Sequence, residues 1–208
     1  MTQEQRKAQP PQSDGIERRS TFGEVRAIEP ESRTVVGYAA VFNRESDDLG
    51  GFVEVIRPGA FRNVLKNADV RALFNHNPDH VLARTPDTLK LYEDESGLRY
   101  EFEAPNTTAG NDLLESLRRR DVRESSFAFR VKSDGQKWSK RSDGTNLREL
   151  IEVDFLPDVS PVTYPAYPNT TVAKRSLQDW QNQETPPPTF DDGYFNRKRT
   201  LVARLESL

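Results

Sequence analysis

The clearest pattern along the chain is alternation. Leu98, Tyr100 and Phe102 alternate with Arg99, Glu101 and Glu103, the period of a strand with one buried face. The same period runs through residues 124–131 (ESSFAFRV). Ser125, Phe127, Phe129 and Val131 fall on one side of it, and Ser126, Ala128 and Arg130 on the other. Further strands are predicted at 22–28 and 33–42, joined as a hairpin, and at 52–56, 70–74, 81–84, 89–92 and 147–155. Residues 157–163 continue extended. Gly37 inside the 33–42 strand marks a bulge or a close approach of another group. Residues 132–146 read as a charged connection carrying Trp138.

Two stretches switch to helical spacing. Residues 57–61 (RPGAF) open a helix to about residue 66, with proline in the first turn and Phe61, Val64 and Leu65 on one side. Asn106, Thr107 and Thr108 supply cap chemistry for a helix to about residue 120. Leu113, Leu114 and Leu117 form its apolar stripe, and Arg118, Arg119 and Arg120 complement its C-terminus. Many short strands with two intervening helices predict an α+β chain, mainly β, built as a barrel or sandwich.

The ends read differently. Residues 1–20 are rich in Gln, Pro and charge and are expected to form a disordered tail, leaving one domain at 21–173. Residues 174–208 read as a second tail. Within its approach, 172–183 is a candidate helix carrying Leu177 and Trp180, and a proline-rich linker follows at 184–189. Residues 195–208 form a candidate amphipathic helix with Leu201, Leu205 and Leu208 in register.

Composition narrows the chemistry. Of 208 residues 34% are hydrophobic and 30% charged, so part of the chain has too little apolar surface to pack. The net charge of -3 gives no overall argument for a nucleic-acid or anionic-lipid partner. There are no cysteines, which removes disulfides, thiol nucleophiles and thiolate metal sites, and fits a reducing compartment. No apolar run approaches the roughly 20 residues that span a bilayer, and residues 1–14 lack the apolar core of a signal peptide. A soluble protein without membrane, cofactor or metal is expected. Three arginines at 118–120 and the basic run at 197–199 are the only features pointing to nucleic acid, and a solvated helix end explains the first better.

With two histidines in the chain, a base working near neutral pH through imidazole is His76 or His80. His76 stands at the end of the 70–74 strand, whereas His80 follows Pro78 and Asp79 as a surface residue and ranks second. A serine nucleophile needs such a base, and the imidazole needs a partner to fix its tautomer. Ser126 lies on a strand whose opposite face is aromatic, but most strand serines are simply solvated polar positions. Ser125 would take its place only if the two faces were reversed. Glu152, Asp154 and Asp158 are the downstream acids, the first two on the polar face of 147–155 and the third just past Pro157. By residue pattern alone these alternatives stay open.

Five blocks in order carry a resemblance: 33–43 (RTVVGYAAVFN), 55–61 (VIRPGAF), 73–78 (LFNHNP), 125–131 (SSFAFRV) and 152–166 (EVDFLPDVSPVTYPA). Together they resemble the tailed-phage prohead (capsid maturation) serine proteases of the HK97 type, a family that looks related to the herpesvirus assembly proteases. The resemblance implies a closed or partly closed β-barrel surrounded by helices and a serine endopeptidase without cofactor. It assigns Ser126 as nucleophile, His76 as base and Asp158, the residue before Val159 and Ser160, as the third member. Glu152 is the runner-up acid. Two positions depart from the family: Ala128 where glycine is usual, and Asp158 where glutamate is frequent. Arg130, on the Ser126 face, is a candidate helper. The implied substrates are scaffold, or the scaffold-like N-terminal region of the major capsid protein, inside the procapsid in the host cytoplasm. Cleavage of its own chain and a homodimer are compatible with the same resemblance. The alternative is a non-catalytic capsid assembly or scaffolding module that binds through its tails.

Overall fold

A computed structural model describes residues 15–21, 24–29, 31–164 and 171–184. The chain divides into two compact units, residues 1–175 and 176–208. Among the described residues twelve strands occur in chain order: β1 Glu17–Thr21, β2 Arg26–Ala27, β3 Thr34–Val41, β4 Phe52–Ile56, β5 Arg71–Phe74, β6 Asn77–Arg84, β7 Leu89–Glu93, β8 Gly97–Glu103, β9 Glu124–Val131, β10 Gln136–Lys140, β11 Asn146–Leu150 and β12 Val153–Val162. Helix α1 is Thr108–Arg119 and α2 is Thr171–Glu184. Neither is long and apolar enough to cross a membrane. The candidate helix at 195–208, the proline-rich linker and the first 14 residues lie outside the described residues.

The strands form three sheets. The first has the order β1-β9-β12-β5-β6, the second β10-β11-β4 and the third β2-β3-β8-β7. The expected barrel closure is therefore corrected: among the described residues the edges β1 and β6 do not pair with each other. Closure needs two edges with free, regular backbone. Here β6 carries Pro78, and its pairing with β5 slips between Leu73↔Val81 and Phe74↔Asn77, so residues 78–80 bulge from the ladder. Nor do the two helices among the described residues surround the sheets.

Alternation drives the packing as predicted. Phe127 and Phe129 of β9, Tyr100 and Phe102 of β8, and Val35 of β3 are all buried in one apolar cluster with Phe61, Leu113 and Leu114. Phe127 meets Phe61 edge-on with centroids 5.6 Å apart. Gly37 answers its sequence reading: a Cβ there would lie 2.5 Å from the Tyr100 hydroxyl. The missing side chain makes room for that ring. Tyr100 Oη in turn lies 2.7 Å from Ser125 Oγ. Burial pushes the Tyr100 phenol up, against a smaller downward pull from Ser125, so the hydroxyl stays neutral.

Three predicted boundaries differ from the structure. The 57–66 helix reduces to tight turns and a 3-10 segment, Val64–Asn67, because Gly59 adopts φ +90 and breaks the first turn. The single strand at 147–155 is two: β11 joins the second sheet and β12 the first, the chain turning where the Ile151 and Glu152 N–H groups both donate to Gly135 O. The connection at 132–146 contains β10, whose Trp138 ring packs edge-on against Phe52 at 5.0 Å.

The fourth difference is β1, which places residues 17–20 in a strand where a tail was expected. Its alternation is charged rather than apolar. Glu17 and Arg19 pair with Phe129 and Phe127 in register, so their side chains point inward. They meet Glu54 of β4 and Arg148 of β11. Arg148 donates to Glu17 Oε1 and Oε2 at 2.8 Å each and to Glu54 Oε2 at 2.9 Å. Arg19 reaches Glu54 at 2.8 and 3.0 Å and Glu17 at 2.7 Å. Two cations and two anions, all buried, join the first sheet to the second. Burial alone would raise the Glu17 carboxyl, but Arg148 and Arg19 outweigh it and hold it below its ordinary 4.5.

Two outcomes follow. In Gly37→Ala the new methyl displaces Tyr100, and chemical denaturation should show a loss of about 1–3 kcal/mol. Because the folded Glu17 value is depressed, its contribution is complete above the ordinary 4.5 and is lost as pH falls through the folded value. Glu17→Gln should therefore cost about 3 kcal/mol at pH 7. Its stability should fall less steeply than the wild type's as pH is lowered from 5 to 3. Parallel pH curves would remove Glu17 from the account.

Candidate active site

The first sheet sets two serines side by side. Ser126 of β9 and Ser160 of β12 are direct partners across the antiparallel ladder, and Asp158 is the partner of Ala128. Strand alternation puts Ser126, Ser160 and Asp158 on one face, opposite Phe127, Phe129 and Val159. Ser125 belongs to the core face and bonds to Tyr100.

The histidine arrives from the other side of β12. Strand β5 runs parallel to β12, with Asp158↔Arg71 and Val159↔Ala72 in register. The β5–β6 hairpin closes through Asn75 and His76, with Phe74 paired to Asn77. Both turn residues are left-handed, φ 58 and 55. Two such residues in a two-residue loop make a type I′ turn, whose second position favours glycine. Histidine there costs about 1 kcal/mol of backbone strain, a cost of the kind found where the backbone serves a site.

The turn projects the imidazole back over β12. His76 Nε2 lies 2.7 Å from Ser126 Oγ, and Nδ1 lies 2.5 Å from Asp158 Oδ1. A carboxylate at Nδ1 keeps the proton on that nitrogen, leaving Nε2 to accept from the serine hydroxyl. Ser160 donates its hydroxyl to the same Asp158 oxygen at 2.8 Å, and its oxygen lies 3.3 Å from His76 Nδ1. Ser126 and Ser160 have no exposed surface and Asp158 is 6% exposed. Water competes little for these bonds, which strengthens each. The arrangement can draw the proton from one hydroxyl and hold the resulting imidazolium against a fixed carboxylate.

The three side chains singled out in the sequence, Ser126, His76 and Asp158, are thus brought into contact from three different strands or turns. The competing residues are engaged elsewhere. Glu152 is bound by Lys132 at 2.8 Å and by Asn63 at 2.8 Å. Asp154 holds Arg130 at 2.8 Å, and that guanidinium also sits 5.3 Å from the Phe155 ring centre. Arg130 shares the Ser126 face but is held at Asp154, four residues or about 13 Å along the strand from Ser126. His80 is exposed on β6. Arg118 and Arg119 pair with Glu115 and Asp121. Among the described residues no three His, Asp or Glu side chains cluster to hold a metal.

Ser160 was missed by the sequence reading, although the signal existed. It stands two residues from Asp158 in an extended segment, and so on the same face.

Comparison with known proteins gives this geometry a family. The prohead protease of Enterobacteria phage HK97 is 30% identical over 149 residues, 69% of this chain and 60% of that protein. The chain therefore spans about 60% of the length of that relative. Among solved structures, the bacteriophage T4 capsid assembly protease matches with a TM-score of 0.40 at 8% identity, over 70% of this chain and 96% of that one. A family described as caudovirus prohead serine protease matches residues 23–184. On that match, which takes in all three converging side chains, the chain belongs to the caudovirus prohead serine protease family.

Proposed function

We propose that this protein is the serine endopeptidase of phage capsid maturation, with Ser126 as nucleophile, His76 as general base and Asp158 as its orienting acid. One observation carries the reading: a continuous hydrogen-bonded line from Ser126 Oγ through both nitrogens of His76 to Asp158 Oδ1. Family membership supports it.

In the reaction Ser126 Oγ attacks the scissile carbonyl carbon as His76 Nε2 takes the hydroxyl proton. The tetrahedral adduct collapses when His76 returns that proton to the leaving amine, giving the acyl-enzyme. Water, deprotonated by the same nitrogen, then hydrolyses the ester and restores the serine. Asp158 holds the ring and offsets the imidazolium charge at each stage, and Ser160 holds Asp158. The substrate is the scaffold, or the scaffold-like N-terminal region of the major capsid protein, inside the procapsid, with the protease's own chain as a further substrate. Ser126 has no exposed surface in this structure, so peptide entry includes a movement that uncovers its hydroxyl. An enzyme closed at rest suits a protease that must wait for assembly.

Ser126→Ala should reduce cleavage of the co-expressed major capsid protein by at least about a thousandfold, with the melting temperature kept. Undiminished cleavage would reject the assignment and favour a non-catalytic assembly module. Ser160→Ala should lower the rate of Ser126 labelling by a fluorophosphonate about tenfold, the loss of about 1.4 kcal/mol. Ser160→Thr should retain most of it.

A further inference from the structure

The imidazole is placed by a turn, so whatever holds the turn holds the base. The registered pairing of β5 with β12 covers only Asp158↔Arg71 and Val159↔Ala72, short of the tip. Beyond it β12 reaches Pro161, which has no N–H to offer a neighbour. A two-residue turn at the end of such a ladder would be free to swing away from β9.

Asn75 supplies the missing tether. Its backbone N–H donates to Pro161 O at 3.0 Å. Its side-chain Oδ1 accepts from the Thr163 N–H at 2.8 Å, and its Nδ2 donates to Thr163 Oγ1 at 3.2 Å. One residue thus makes three bonds to the last residues of β12 and the one just after it. Asparagine is suited to this, because it tolerates φ of 58 and carries an acceptor and a donor on a short stem.

We propose that Asn75 is a positioning residue for His76, acting through its two-bond side-chain clamp on Thr163. The clamp fixes the turn bearing His76 to the strand bearing Asp158 and Ser160, so the imidazole and its partners share one frame. A base displaced by an ångström loses its line to the hydroxyl, and such misplacements cost up to about a hundredfold in rate. The inference rests on His76 being the base.

Glycine separates clamp from backbone strain. Asn75→Gly keeps the left-handed turn, which glycine adopts freely, and the bond to Pro161, but removes both side-chain bonds. The full-length protein is compared as wild type, Asn75→Gly, Thr163→Val and Thr163→Ser. The readouts are kinact and KI for a fluorophosphonate, the melting temperature, and the NMR resonance of the His76 Nδ1 proton in a His80→Gln background. Asn75→Gly should melt no lower than wild type. Its kinact should fall about tenfold or more with KI within about twofold, and its Nδ1 proton should exchange faster. Thr163→Val should move in the same direction and Thr163→Ser should behave as wild type. Wild-type kinact and a protected Nδ1 proton in Asn75→Gly would overturn the proposal, as would a lowered melting temperature with kinact unchanged. If the wild type does not react with the probe, the Nδ1 proton alone decides, and its persistence in Asn75→Gly overturns the clamp. Failure of the protease reading shows separately, as undiminished capsid cleavage by Ser126→Ala.

Discussion

Burial of Phe127 and Phe129, with the hydrogen bond between Tyr100 and Ser125 beside them, fixes which side of β9 faces the core, and the site depends on that choice. A strand offers alternate residues to opposite faces, so a slip of one position would carry Ser126 into the phenylalanines and Ser125 out of them. Two buried rings, Phe127 and Phe129, oppose such a slip by their area, and the hydroxyl pair opposes it by geometry. Tyr100 reaches Ser125 because Gly37 leaves room for its ring. A glycine on β3 thereby supports the face from which a serine on β9 meets its histidine.

Around that strand the molecule uses two kinds of fastening. On the core face, apolar burial and aromatic contacts join the sheets, except where Glu17, Arg19, Glu54 and Arg148 meet. Four buried charges contribute little net stability compared with apolar side chains of similar volume, but removing any one leaves its partners uncompensated. They therefore fix β1 at one place on the edge of β9, in register with the nucleophile strand. On the opposite face the fastening is a set of directional polar contacts: Ser126, His76, Asp158 and Ser160 bond in sequence, and Asn75 ties the turn to the end of β12. Rigid apolar packing on one side holds the strands on which a strained, polar assembly stands on the other.

How much of this could be read from the chain differs element by element. The β8 and β9 strands were legible because large apolar residues recur at period two, and α1 because three leucines keep helical spacing beside a threonine cap that accepts from the Gly110 N–H. Strand β1 was not legible, since its inward residues are Glu17 and Arg19 and their partners on other strands lie 35 to 131 positions away. The strand pattern left barrel or sandwich open and the resemblance implied closure, but the bulge at residues 78–80 with the break at 151–152 left open sheets instead. Asn75 stands in a turn, and its bonds to Thr163 span 88 positions and leave no local mark.

By itself the sequence determined the alternation of β9, the scarcity of histidine, the absence of cysteine and the motifs that singled out Ser126, His76 and Asp158. These are local facts, written in residue types and short spacings. Only the tertiary structure decided that β12 lies between β9 and β5, so that one imidazole can touch both neighbours. It also decided that a charged segment at the N-terminus becomes a strand. The reason is common to both: strand order and charge pairing depend on contacts between residues far apart in the chain, and no period within a segment encodes which distant segment will lie beside it.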